Sequence, residues 1–156
     1  MRGSRLLFTA SWVLLMLLSV FIVLLSLNSL YIAYFAPTDN ITPTYTLDQL
    51  RAIGGEQGEE VVKALRGRRS TAATWALGYG LLAAWVVMFP YRRGERWSWW
   101  ALLISLGLAQ LLALARVVAL GTQSGAGAAG TVLAFLLLGL LAGAPHMFRR
   151  TSMDEL

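Results

Sequence analysis

Four long apolar runs are the feature that most constrains the fold of this chain. They cover residues 6–35, 71–91, 98–120 and 127–148, and each contains few or no charged side chains. A helix that crosses a bilayer needs roughly 20 consecutive apolar residues, and every run reaches that length. The apolar share of 57% is also larger than a soluble domain needs to fill its core. The sequence therefore predicts an all-α polytopic membrane protein, a single membrane domain over residues 1–156 built as a bundle of four transmembrane helices.

A short basic turn joins the second and third runs. Its sequence is Pro90-Tyr-Arg-Arg-Gly-Glu-Arg96, and the aromatic stretch Trp97-Ser-Trp-Trp100 follows directly. Arginines are costly to move across a bilayer, whereas tryptophans favour the headgroup level. The turn is therefore predicted to lie at one membrane surface, between two antiparallel helices.

The distribution of basic residues predicts an orientation. With both termini and the basic turn in the cytoplasm, seven basic residues lie inside and five lie in the loop outside. Twelve arginines against one lysine, with abundant Ala, Gly and Leu, are typical of a GC-rich bacterial genome. We therefore expect a bacterial cytoplasmic membrane. The seven inner residues are Arg2, Arg5, Arg92, Arg93, Arg96, Arg149 and Arg150.

The segment 66–120 resembles small bacterial membrane proteins with four spans. In that group a basic turn like Arg92-Arg-Gly-Glu-Arg-Trp-Ser-Trp-Trp100 joins the second and third helices. The resemblance implies the four-span architecture, but it carries no known activity and no catalytic residues.

Residues 36–70 are predicted to form the one substantial extramembrane loop. The pattern Thr-Leu-Asp-Gln from Thr46 is a capping box and predicts a short helix that ends at Gly54-Gly55. Residues 56–67 form a second amphipathic stretch, with acids first and bases last, as the helix dipole prefers. We expect this loop to lie on the outer membrane surface or over the bundle.

Two polar residues in the third run are the most informative. Gln110 is expected near the middle of the membrane and Arg116 about one turn from its outer end. Arginine at that depth costs up to a few kcal/mol unless it reaches the headgroups or a partner. Arg116 therefore either snorkels or pairs with a loop carboxylate, or it binds the head of a lipid or small anion. The candidate ion-pair partners are Asp39, Glu59 and Glu60, and the candidate pocket comprises Asn28, Tyr31, Tyr79, Gln110 and Arg116.

Small residues predict where helices approach closely. The pair Gly139 and Gly143 has the small-xxx-small spacing of tight helix packing. Gly78 and Gly80 are small residues that would let the second helix approach a neighbour closely. Two prolines, Pro90 and Pro145, are expected to mark the ends of the second and fourth helices.

The residue inventory argues against chemistry in the membrane. There is no cysteine, and the predicted interior contains no Asp, Glu, His or Lys, so we expect no catalytic, cofactor-binding or metal-binding residues there. The net charge of +5 is concentrated beside apolar runs, which favours lipid headgroups over nucleic acid.

Three functions remain as hypotheses at this point. The first is a non-enzymatic accessory or interaction component, whose partners are membrane lipids and a membrane protein or a second copy. The second is a binder or carrier of a lipid or small apolar or anionic molecule, with its pocket around Arg116. The third is an enzyme that acts at the outer surface with the loop carboxylates.

Overall fold

The structure, a computed structural model, describes residues 2–35, 47–121 and 125–148. Several residues used above lie outside those ranges, among them Asp39, Thr46, Arg149 and Arg150. The described chain is helical apart from short turns and contains no strand. Five α-helices occur in these ranges: α1 (Arg2–Phe35), α2 (Leu47–Val86), α3 (Arg96–Leu102), α4 (Leu108–Leu120) and α5 (Ala126–Phe148).

Four stretches of helix are long and apolar enough to span a membrane. Their mean hydropathy lies between 1.6 and 2.6 over the most apolar window of each. The helical elements confirm the predicted all-α fold. The length and composition of these four stretches confirm the predicted four helices of spanning length. The candidate spans are Arg5–Phe35, Ala52–Tyr91, Arg96–Leu120 and Ala126–Phe148.

The helix α2 begins much earlier than the second apolar run. At Gly55 the backbone leaves helical geometry, with φ of 52° and ψ of −129°, and it returns to helix directly afterwards. The range of α2 therefore joins two helices across a kink at Gly55, and the predicted helix end at Gly54-Gly55 is confirmed. The amphipathic stretch 56–67 continues into the second apolar run, 71–91, as one helix, because its Glu, Lys, Ala, Leu and Arg residues favour helix and no proline interrupts them.

Both prolines lie inside the last helical turns. Pro90 belongs to a π-helical turn, Val87–Tyr91, which follows α2 directly. Its carbonyl oxygen accepts a hydrogen bond of 3.0 Å from the Glu95 amide, so the chain turns within a few residues. Pro145 lies in α5, which ends at Phe148. The two prolines therefore precede the helix ends by one and three residues.

The contacts divide the chain into two compact units. The first unit comprises the described residues up to Val20 and from Leu81 onward, and the second comprises Phe21–Gly80. The core of the first unit is aliphatic, with Leu15, Leu102 and Leu140 almost fully buried. A second π-helical turn, Leu103–Gly107, joins α3 to α4 in this unit.

In the second unit, α1 and α2 pack closely at Gly80. A Cβ atom built on Gly80 would lie 3.2 Å from the backbone nitrogen of Val23, so a side chain there would push the helices apart. The close approach expected for Gly80 is confirmed. The one expected for Gly78 is wrong, because Gly78 is exposed and a Cβ atom there would meet nothing within 4 Å in the described chain. A hydrogen bond of 3.3 Å from Nε of Arg69 to the Ser29 hydroxyl also joins the two helices.

Candidate functional site

The five residues of the predicted pocket are divided between the two units. Gln110 and Arg116 lie on α4 in the first unit. Asn28 and Tyr31 lie on α1, and Tyr79 lies on α2, all in the second unit. The three residues of the second unit are exposed. A pocket shared by all five remains a prediction.

Arg116 lies close to the turn that connects α4 and α5. Its Nη2 atom is 2.7 Å from the position that a Cβ atom at Gly125 would take. Gly125 has a φ of 77°, which favours glycine, and the absence of a side chain leaves space for the guanidinium group. Glu59 and Glu60 are exposed on α2 in the second unit, and Asp39 lies outside the described residues. An ion pair between Arg116 and any of them remains a prediction.

A buried group of polar atoms joins three helical segments of the first unit. The hydroxyl oxygens of Ser11 and Tyr91 lie 2.5 Å apart, and Ser11 donates a bond of 2.6 Å to the carbonyl oxygen of Gly139. Because the Ser11 proton is engaged there, the Tyr91 hydroxyl donates to Ser11. A Cβ atom on Gly143 would overlap the Tyr91 hydroxyl. The predicted close packing at Gly139 and Gly143 is therefore confirmed, and these hydroxyls hold the helices together.

Other hydrogen bonds join the ends of the helices in the same unit. The indole of Trp12 donates to the Val87 carbonyl at 3.0 Å, and Nε of Arg96 donates to the Met147 carbonyl at 3.2 Å. The rings of Phe8 and His146 stack with centroids 4.3 Å apart. The N-terminal part of α1, the turn after α2 and the C-terminal part of α5 therefore lie at one end of the first unit.

An open groove lies at this end, beside the basic turn. Its volume is about 460 Å³, and its lining residues are Met88, Phe89, Arg92 and Arg93. The guanidinium carbon of Arg92 lies 5.2 Å from the centre of the Trp12 ring. Cation–π contact of this kind holds the charge in a defined position.

Sequence reasoning found the arginines of this groove but missed its apolar half. Met88 and Phe89 each precede one of the two arginines by four residues, a spacing that places each pair on one helical face. That signal was present in the sequence. The contact with Trp12 arises from tertiary packing and has no counterpart in local spacing.

The described residues contain no group of three or more His, Asp or Glu side chains that could hold a metal ion. No known protein family, curated protein or solved structure matches this chain.

Proposed function

We propose that this chain is a non-enzymatic integral membrane protein that acts as an interaction or accessory component of the bacterial cytoplasmic membrane. In this proposal the four candidate spans form one bundle and both termini lie in the cytoplasm. The second span crosses the membrane with its apolar part, residues 71–91, and residues 36–70 lie outside. Its partners are membrane lipids and either a membrane protein or a second copy of the chain.

The buried hydroxyls support a role without catalysis. Within the described residues the buried hydroxyl groups belong to Tyr91 and to four serines, and the serine hydroxyls donate to backbone carbonyls at distances between 2.5 and 2.9 Å. A serine nucleophile needs a base within hydrogen-bond reach, and these hydroxyls have carbonyl acceptors instead. The four residues are Ser11, Ser19, Ser26 and Ser98.

One exposed face of α2 consists of small residues and could accept a partner helix. Gly67, Thr71, Thr74 and Gly78 are exposed, and their spacing of four, three and four residues places them on one side of the helix. A Cβ atom on either glycine would meet nothing within 4 Å. The threonine hydroxyls donate to carbonyls of their own helix, at 3.0 and 2.9 Å. A narrow face without unsatisfied polar groups lets another helix approach closely in a bilayer.

Photo-crosslinking from this face tests the proposal. A diazirine amino acid at Thr74 is expected to give one discrete protein adduct when native membranes are irradiated. Mass analysis then distinguishes a second 17.0 kDa chain from another protein. The same label at Ile104, an exposed position among bulky residues of the third candidate span, should react with lipid only. Equal protein labelling from both positions, or none from either, would contradict the proposal.

A matched pair of glycine variants adds a second test. Gly78→Ile fills the proposed face, whereas Gly130→Ile adds the same side chain on α5, where a Cβ atom also meets nothing within 4 Å. Only the first variant should reduce the adduct formed from Thr74. An equal reduction by both would indicate a general effect on folding.

Fusions to the C-terminus test the proposed orientation. A fluorescent-protein fusion should be bright and an alkaline-phosphatase fusion inactive, because the positive-inside bias places the C-terminus in the cytoplasm. The opposite pair of results would overturn the topology and leave the helix assignments unchanged.

A further inference from the structure

The groove beside the basic turn has one cationic end and one apolar end. Arg92 and Arg93 are exposed, and no acidic residue occurs among the described residues that line the groove. Glu95, the nearest acid along the chain, accepts a hydrogen bond of 2.6 Å from the indole of Trp97. The two guanidinium groups are therefore available to an anion from outside the protein.

The apolar end continues along α2. Met88 and Phe89 are 42% and 37% exposed, and the ring of Phe89 lies 4.4 Å from that of Trp85. Trp85 is more exposed than either. These three side chains form an apolar strip that leads from the arginines back along the candidate span Ala52–Tyr91.

The order of cationic and apolar side chains along the helix matches the order of phosphate and acyl chain in a phospholipid. The arginines follow the last residue of the candidate span, at the depth where headgroups lie, while Trp85, Met88 and Phe89 precede it. A guanidinium group matches phosphate oxygens with two parallel hydrogen bonds, and its stack on Trp12 orders Arg92 before a ligand binds. A free phosphate would use the cationic end only, whereas a phospholipid uses both.

We infer that the groove lined by Met88, Phe89, Arg92 and Arg93 binds an anionic phospholipid. The phosphate lies between the two arginines, and the first part of an acyl chain lies along Phe89 and Trp85. The inference rests on the proposed membrane location but not on the proposed protein partner. If this protein did not fractionate with membranes, the proposed membrane location would be overturned independently of the lipid site. Crosslinking from Thr74 tests the protein partner separately.

Native mass spectrometry with defined lipids tests the site. Wild-type protein in micelles that contain phosphatidylglycerol and phosphatidylcholine should retain phosphatidylglycerol preferentially. The variant R92Q/R93Q should lower that preference about thirtyfold. Each basic residue near an anionic surface contributes about 1 kcal/mol of binding free energy, and the loss of two such contributions corresponds to a factor of about thirty in affinity. The control K63Q/R68Q removes two exposed basic residues of the second unit and should keep the preference. Equal loss in both variants, or no preference in the wild type, would overturn the inference.

Two further measurements keep the test independent of variant folding. A phosphatidylglycerol with a diazirine in its acyl chain should label wild-type protein within residues 85–93, and labelling spread evenly over the four candidate spans would overturn the site. Millimolar inorganic phosphate should leave the retained lipid in place. Displacement by phosphate would show an anion site without the lipid contacts and would also overturn the inference.

Discussion

Ser11 and Tyr91 are joined by a hydrogen bond of 2.5 Å between their hydroxyl oxygens, in the core of the first unit. Tyr91 is 0% exposed although it lies at the end of the π-helical turn next to two exposed arginines. Since Ser11 also donates to the Gly139 carbonyl, α1, the turn after α2 and α5 meet at one serine. This arrangement connects three helical segments through two buried hydroxyl groups.

We predict that Tyr91→Phe lowers the free energy of unfolding by about 0.6 kcal/mol, the average for hydrogen bonds between membrane helices, and by no more than about 1.7 kcal/mol. The ring still fills its site, and Ser11 still has the Gly139 carbonyl as its acceptor, so the loss is limited to one bond. Reversible unfolding in mixed micelles measures the change. The exposed Tyr34 provides a control, and an equal effect from Tyr34→Phe would contradict the prediction.

Gly143→Ala should be more destabilising than Gly139→Ala. A Cβ atom at position 143 would overlap the Tyr91 hydroxyl and lie 2.7 Å from Oγ of Ser11, whereas one at 139 would lie 2.8 Å from Cδ2 and 2.9 Å from Cγ of Leu15, without such an overlap. We expect Gly143→Ala to cost about 1–3 kcal/mol, as for other overpacked cores.

The double variant G143A/Y91F identifies the cause. Its cost should be smaller than the sum of the two single costs, because removal of the hydroxyl relieves the overlap. Gly130→Ala is the matched control, since nothing lies within 4 Å of its Cβ position. Simple additivity in the double variant would show that the hydroxyl is not the obstacle.

Gly55→Ala should destabilise the second unit, whereas Gly54→Ala should not. The φ of 52° at Gly55 is strained for a residue with a side chain, and Gly54 has neither a positive φ nor a neighbour within 4 Å of its Cβ position. We expect Gly55→Ala to cost about 1–3 kcal/mol, measured by thermal unfolding followed by circular dichroism. If both variants were neutral, the kink would not be a feature of the folded protein.

Arg116→Gln should weaken folding without a change in co-purifying lipid. The guanidinium group lies against the α4–α5 turn at Gly125, so its loss removes a contact within the protein. The expected cost is about 1 kcal/mol. Lipid analysis and unfolding are measured on the same samples, with Arg68→Gln as an exposed control. Loss of lipid with stability unchanged would favour the ligand pocket around Arg116.

The candidate spans were predictable because hydropathy depends on each segment alone. The third and fourth runs were placed at 98–120 and 127–148, and the helices cover Arg96–Leu120 and Ala126–Phe148. The break in α2 was predictable as well, because Gly54-Gly55 is a strong local signal for a helix end and two helices meet at the kink at Gly55. The continuity of residues 56–67 with the second apolar run was not predictable, because no local signal shows whether an amphipathic helix stops before the apolar residues begin.

The sequence predicted which charged and small residues are important, but it did not predict which residues they contact. Arg92 and Arg93 follow from the positive-inside pattern, and Gly139 and Gly143 follow from the spacing of small residues. The partners of these residues lie far away in the sequence. Trp12 is on another helix from Arg92, and Ser11 precedes Gly139 by 128 residues. Residue spacing within one helix does not indicate which residues of another helix it contacts.

The π-helical turn Leu103–Gly107 changes how the chain responds to a lost residue. Hydrogen bonds in such a turn span five residues instead of four, so the segment contains one residue more than an α-helix needs. Deletion of Ile104, which is 61% exposed, would restore a regular α-helix. The side chains of Ser98 and Gln110 would still project in the same directions as before. Deletion of Leu137 from α5 would rotate the following residues by about 100° and misdirect Gly143. The third candidate span therefore tolerates a change of length that the fourth does not.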